Sequence, residues 1–495
     1  MIKAYQNYSS VEFIALLSEK ETLLSEKENR ISKLEERIAW FERQVFGKKS
    51  EKFPVTPEEQ LPLAFDNVET IVELPSEKIT VTYKREKKKK NENHPGRHAI
   101  PAHIERVVIE IHPEGDLSGM ECIGKREREV LERIPGKFIV NHYVLYTYKK
   151  IETGAIVEGK LPSLPIEKGI PGAGILAFIL VNKFFYHLPL HRQLEIFKNE
   201  AGMIIKASTI SGWVGQCCKL LLLLYDKLLK HILSQSYLMV DETPIKVLMK
   251  TGNKTIILGY LWAYYSPLTK SVFFDYRSGR GAENPSRILK NFKGHIQTDG
   301  YSAYKSIVNP DIIFLNCMAH ARRKFIDAKD NNAGLANYFI IEVQKLYRIE
   351  KQAGKLDLSY DDRFTLRKKR SEPVLSGLKK WLDENVAQTT PSSLIGKAMR
   401  YALNHWAGLT KYLTDGRLEI DNNAVERAIR LVAMGRKNYM FAGSEEGAKW
   451  LAMMYSFYGT CKAQGVEPFE WTKTTLEKMP DYDPKLIDEL LPFLK

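Results

Sequence analysis

The chain has 495 residues, 44% of them hydrophobic, which is more than one ordinary domain needs and enough for several buried cores. Lys and Arg number 74 against 60 Asp and Glu, and the net charge of +14 suits a polyanionic partner, nucleic acid before a membrane surface. The longest uncharged apolar stretch, residues 169–182, is shorter than the roughly 20 residues of a membrane helix, the N-terminus lacks a signal peptide's apolar core, and five irregularly spaced cysteines make neither a disulfide framework nor a four-cysteine zinc site, so a cytoplasmic protein with reduced thiols is expected.

Leu17, Leu24, Ile31, Ile38 and Val45 recur every seven residues, with Leu34 and Phe41 at intermediate positions. This predicts a coiled-coil helix over 1–46 and a homodimer or higher oligomer, although Lys20 and Lys27 occupy seam positions and also suit a solvated amphipathic helix. Residues 47–100 read as a linker: 54–77 holds four prolines and six acids with no Lys or Arg, and a basic run follows at 84–90. Alternating stretches near 107–111 and 138–148 predict a small β-containing module over 101–160.

Residues 161–233 are helical in pattern. Leu190, Leu194 and Phe197 share a face, the pattern breaks at Ala201-Gly202, and Ser208 is placed to cap a second helix lined by Trp213, Cys217, Leu220, Leu221 and Leu224. The arrangement fits a helix-turn-helix with Thr209, Ser211 and Gln216 at its exposed start, and it equally fits an ordinary helical hairpin.

After Ser236 the period changes to that of strands. Residues 237–240, 259–265 and 271–276 predict a three-stranded meander, followed by a helix (283–292), a strand (295–298), a helix (301–308) and a strand (311–315). The order βββαβαβ predicts a ribonuclease-H-like catalytic core, its first part spanning 234–326. In that order the first and fourth strands are neighbours, so Asp241 and Asp299 at their ends should converge. A helix over 418–432 would add Glu426, which lies off the buried stripe of Val425, Ile429 and Val432. Three carboxylates suit Mg²⁺, a hard cation that takes oxygen ligands, and two such ions can promote an in-line displacement at a phosphodiester. Glu242, Glu419 and Asp421 are rival ligands.

These residues lie in motifs that resemble transposases of the insertion-sequence sixty-six family, of Asp-Asp-Glu type. The motifs are Val-Asp-Glu-Thr-Pro-Ile-Lys-Val (240–247), Gly-Tyr-Leu-Trp-Ala-Tyr (259–264), Gln-Thr-Asp-Gly-Tyr-Ser-Ala-Tyr (297–304) and Cys-Met-Ala-His-Ala-Arg-Arg-Lys-Phe (317–325). Leu-Glu-Ile-Asp-Asn-Asn-Ala-Val-Glu-Arg-Ala-Ile-Arg (418–430), Gly-Arg-Lys-Asn-Tyr-Met-Phe-Ala-Gly-Ser (435–444) and Phe-Gly-Lys-Lys-Ser-Glu-Lys (46–52) extend the likeness over nearly the whole chain.

The resemblance implies a transposase that binds double-stranded DNA at the ends of its element and cuts and joins strands. Its triad would be Asp241, Asp299 and Glu426, holding two Mg²⁺ ions for which Mn²⁺ substitutes. The long interval before Glu426 implies a helical insertion over 327–415, with the core resuming at 416–465 and a C-terminal tail at 466–495. Arg322, Arg323, Lys324, Arg427, Arg430, Arg436 and Lys437 flank the carboxylates and are expected to contact DNA phosphates. Cys317 and His320 are too few for zinc and are read as support packing. Family members usually carry two cysteine pairs where 101–160 lies; only Cys122 is present, so no zinc is expected. Small accessory proteins encoded with the element are also implied. A structure-specific nuclease and a DNA-binding regulator with an inactive core are the competing functions.

Overall fold

The computed structural model describes residues 163–167, 169–249 and 255–493, a hairpin at 147–149 and 156–158, and isolated positions 27, 136, 138 and 141. The heptads, the linker and most of the 101–160 module, Cys122 included, lie outside the described residues. The chain divides into two compact units, Pro54–Val144 and the remainder, and every element below belongs to the latter.

Strands β1 (Thr147–Lys149) and β2 (Ile156–Glu158) pair antiparallel. Four helices follow: α1 (Ala173–Phe184), α2 (Leu190–Ala201), α3 (Ala207–Leu220) and α4 (Leu222–Leu233). α2 stops at Ala201, at the break in the sequence pattern. Ser208 does not cap α3; Lys206 holds the cap position without a side-chain bond, and Thr209 and Ser211 are exposed on the first turn. Among the described residues no single helix is long and apolar enough to cross a membrane. α3 and α4 together pass by composition, bent 49° at their junction; Ile210, Val214, Cys217 and Cys218 of α3 and Leu224, Leu228 and Ile232 of α4 are buried within the fold, while Leu222 and Leu223 are exposed.

The centre is a mixed sheet in the order β5-β4-β3-β6-β7, built from β3 (Tyr237–Met249), β4 (Thr255–Ser266), β5 (Ser271–Arg277), β6 (Gly294–Thr298) and β7 (Ile312–Asn316). The first three form the antiparallel meander, while β6 runs parallel to β3 and β7 parallel to β6. The helices α5 (Glu283–Leu289) and α6 (Ser302–Lys305) that join the later strands are shorter than the sequence pattern suggests.

β3 does not end at Asp241 but continues for eight more residues. Sequence reasoning stops the strand there because Pro244 and Lys246 break the apolar run. Pro244 is tolerated because its carbonyl, turned away from β4, accepts from Arg436, so its missing N–H lies on that same side, outside the β3–β4 ladder. Further along, Leu248 N–H donates to Ala442 O (2.9 Å) and Ala442 N–H to Lys246 O (2.8 Å), giving the extension a partner of its own.

Between β7 and the helix carrying Glu426 the chain is helical: α7 (Met318–Asp327), the long pair α8 (Ala333–Lys355) and α9 (Tyr360–Val386), then α10 (Leu394–Asn404) and α11 (Trp406–Thr410). Stacked Phe325 and Phe339 join α7 to α8. α12 (Asn423–Asn438) follows, then α13 (Glu445–Gln464) and α14 (Pro468–Lys478).

α13 is buried on all sides from Leu451 to Cys461, as befits a helix inside a core. It lies along the outer edge of β5, where Phe274 N–H donates to Ser456 Oγ (2.8 Å) and Val272 N–H to Thr460 Oγ1 (3.1 Å). Gly459 permits this approach, since a Cβ there would stand 2.6 Å from Val272 Cγ1. Edge N–H groups that could recruit another strand are thereby satisfied within the chain. The C-terminal residues pack on the fold: Trp471 of α14 donates to Leu490 O at 2.9 Å and its ring lies 5.2 Å from that of Phe457.

Candidate active site

Parallel pairing sets the first two carboxylates against each other. The register ends at Met239 and Gln297, and Asp241 and Asp299 each follow by two residues, the step that returns an extended chain to the same face. Gly300, at φ +88°, turns the chain directly after Asp299, and Tyr301 N–H returns to Asp299 Oδ1 at 2.8 Å. Tyr401 of α10 donates to the Asp299 carbonyl at 2.6 Å. Antiparallel register places Asp241 beside Ala263 and puts Glu242, beside Trp262, on the opposite face.

Glu426 enters from the first turn of α12, 3.7 Å from His320 Nε2 on α7. Burial, then the neighbouring Glu242, then Asp299 and Glu426 push the Asp241 carboxyl up to about 8, against an opposing hydrogen bond from Glu242 N–H. The structure thus brings Asp299 and Glu426, as well as Glu242, within electrostatic reach of Asp241. Among the described residues no three Asp, Glu, His or Cys side chains form a ready-made metal cage. The donors are nonetheless all carboxylate oxygens, and a buried carboxyl raised by its own neighbours is an environment that a divalent cation relieves.

The rival carboxylates are committed elsewhere. Glu242 accepts from Tyr304 Oη (2.6 Å) and pairs with Arg280 (2.6 Å), whose guanidinium lies over the Tyr301 ring. Asp421 accepts from Tyr347 Oη (2.8 Å) and from Asn423 N–H and Nδ2 (3.0 and 2.8 Å), the work of a helix-start residue. Glu419 takes both arms of Arg363, at 2.7 and 2.9 Å.

The segment that delivers Glu426 is held almost residue by residue. Tyr237 donates to Gln297; Glu419 N–H donates to Tyr237 Oη (3.1 Å) and Glu419 O accepts from Gln297 Nε2 (2.9 Å), so the strands bearing Asp241 and Asp299 also grip the approach to α12. Met318 N–H donates to Ile420 O (3.1 Å), and Asn422 N–H to Cys317 Sγ (3.4 Å). Cys317 is buried, and burial pushes its thiol up, so it packs here as a neutral group.

Below the segment sits fully buried Arg367 of α9. It donates to both oxygens of Glu350 (2.8 Å each) and to the carbonyls of Tyr412 (2.8 Å), Asp415 (2.9 Å) and Leu418 (2.8 Å). Burial alone would raise the Glu350 carboxyl, but Arg367 and Arg363 overcome this and hold it below its usual range. Removing one partner from such a buried pair costs about 3–5 kcal/mol. Sequence reasoning missed Glu350, Arg363 and Arg367, whose acids and bases on long helices resemble solvated faces.

The expected phosphate contacts separate by exposure. Arg427, Arg430 and Lys437 are exposed along α12, and Lys324 is exposed with its ammonium 4.6 Å from the Tyr401 ring centre. Arg323 is half-buried, and half-buried Arg436 is bound to Pro244 O. Arg322 is only 5% exposed.

Comparison with known proteins first gives the class. Residues 168–450, containing the sheet and all three carboxylates, match the family model described as "Transposase IS66 family", a DDE-type transposase domain. Residues 456–493 match "IS66 C-terminal element", and 33–109 match "Transposase C of IS166 homeodomain". The chain belongs to the IS66 family of transposases. Similar proteins of Sinorhizobium fredii include "Uncharacterized protein y4qI", 33% identical over 88% of this chain and 84% of that one. Another, "Uncharacterized protein y4jD", is 31% identical over 77% and 78%. Transposition, with the DNA binding it entails, is the function this membership indicates.

Proposed function

We propose that this transposase cleaves phosphodiesters at the ends of its insertion sequence and joins the freed strands to target DNA, using Asp241, Asp299 and Glu426 on a ribonuclease-H-like core. The observation that carries the reading is the placement of Asp241 on β3, of Asp299 directly after its parallel neighbour β6 and of Glu426 on the first turn of α12, while Glu242, Glu419 and Asp421 are tied to other partners. The strand order, with a meander followed by two parallel strands beside β3, supports the core assignment.

The three carboxylates would hold two Mg²⁺ ions, with Mn²⁺ able to substitute. Bound there, the ions would supply activation of an attacking hydroxyl and stabilisation of the leaving oxygen. Exposed Arg427, Arg430, Lys437 and Lys324 hold the strand by its phosphates, while Thr209 and Ser211 at the start of α3 face the DNA end. Chains pair through the heptad helix so that two ends are handled together, in the cytoplasm where bacterial-type DNA lies.

The test uses DNA duplexes carrying the element's ends. Asp241→Asn, Asp299→Asn and Glu426→Gln should each abolish nicking and joining in Mg²⁺ while end binding stays close to wild type, because binding rests on the basic groups. Normal cleavage by all three variants would overturn the reading. An inactive Asp421→Asn beside an active Glu426→Gln would move the third ligand to Asp421. Nicks without joined products would indicate a nuclease.

A further inference from the structure

The hydrogen bonds around residues 412–422 form a chain of support that starts in the long helices and ends at α12. Arg367 is its buried centre. Its guanidinium binds Glu350 of α8 on one side and three carbonyls of the 412–418 segment on the other. A planar group with five fixed donors can serve all these acceptors at once, whereas a lysine ammonium has three donors and no fork. Arg363, one turn earlier on α9, repeats the link nearer the surface by joining Glu350 to Glu419 and donating to Gly416 O at 3.3 Å. The backbone of Glu419 is in turn bound to Tyr237 and Gln297, four residues before Asp241 and two before Asp299. Glu426 follows seven residues later.

We infer that Arg367 is a positioning residue for the transposition chemistry: through Glu350 and the carbonyls of Tyr412, Asp415 and Leu418 it sets where Glu426 stands relative to Asp241 and Asp299. The inference rests on the triad proposed above. It gives the helices between β7 and α12 a role in assembling the metal site, besides any contact they make with DNA. Groups that orient metal ligands tune metal affinity and activity.

Arg367→Lys keeps the charge and loses the fork. Mn²⁺ affinity measured by titration calorimetry should weaken about tenfold or more, the Mg²⁺ needed for half-maximal end cleavage should rise in parallel, and end binding should stay within about twofold in Ca²⁺. Leu382→Ala is the control for mere loss of stability, since it empties a buried position of α9 remote from the 412–418 segment. Below its melting temperature its metal curves should match wild type. If Arg367→Lys does not fold, Arg363→Lys tests the same link from the more accessible side and should shift Mn²⁺ affinity in the same direction by a smaller factor.

A folded Arg367→Lys, or failing that Arg363→Lys, with wild-type Mn²⁺ affinity overturns the inference. So does an equal shift in Leu382→Ala. Glu426→Gln is measured alongside: if it cleaves normally, the triad reading fails, and if it is inactive while the arginine variants are unaffected, only the positioning role falls.

Discussion

Without a cation, the Asp241 carboxyl sits where its charge is unwelcome. In the folded chain burial and the surrounding carboxylates push it up to about 8, whereas an aspartate in an unfolded chain titrates near ~3.9. Between those values the folded state binds more protons than the unfolded state, so this group's stabilising contribution is fully present below about pH 4 and is lost as pH rises through about 8. Asparagine has no proton to lose. Asp241→Asn should therefore melt at a higher temperature than wild type in chelator, by a margin that widens from pH 5 to pH 8 and narrows when Mg²⁺ is added. A margin independent of pH, measured by scanning calorimetry, would remove the basis for this account of the site's electrostatics. The same residue shows what sequence could reveal. Strand periodicity and order predict Asp241 and Asp299 at the ends of neighbouring strands, and β3 and β6 are neighbours. Arg367 was not legible, because its acceptors are one carboxylate and three backbone carbonyls up to 51 residues away, and backbone acceptors leave no mark in a sequence.

Elements were legible in proportion to how far their packing follows one period. β5 and β6 came out close to their expected bounds, being short apolar runs between turns. The distal half of β3 was hidden because its partners are β4 on one side and Ala442, almost two hundred residues later, on the other. The cover of β5 by α13 was hidden for a different reason. Ser456 and Thr460 lie within an apolar helix and read as incidental small residues, yet each accepts an edge N–H of the sheet. Leaving such a buried donor unmet costs about 1–3 kcal/mol. Ser456→Ala combined with Thr460→Ala should thus lower stability in denaturant titration by about 2–6 kcal/mol, taking the two sites as independent. An unchanged midpoint would mean that α13 contributes only apolar contact to that edge.

At the scale of the whole molecule, the segments that meet at the proposed active site come from opposite sides of a long excursion. β3 to β7 carry two of the carboxylates; α12 and α13 carry the third and cover the sheet edge; the connection between α9 and α10, around 387–392, is mostly exposed. The C-terminal portion is bonded to the N-terminal one at Glu419, Ile420, Asn422, Ala442, Ser456 and Thr460. Covalent continuity at 387–392 is therefore not what keeps the two portions together. A chain cut there, by limited proteolysis or by co-expression of residues 1–388 and 389–495, should still elute as one particle and come apart only in denaturant. Fragments that separate in native buffer would contradict this. Where the fragments hold, the transposase becomes a two-component enzyme whose assembly can be switched by supplying or withholding the piece that contains Glu426.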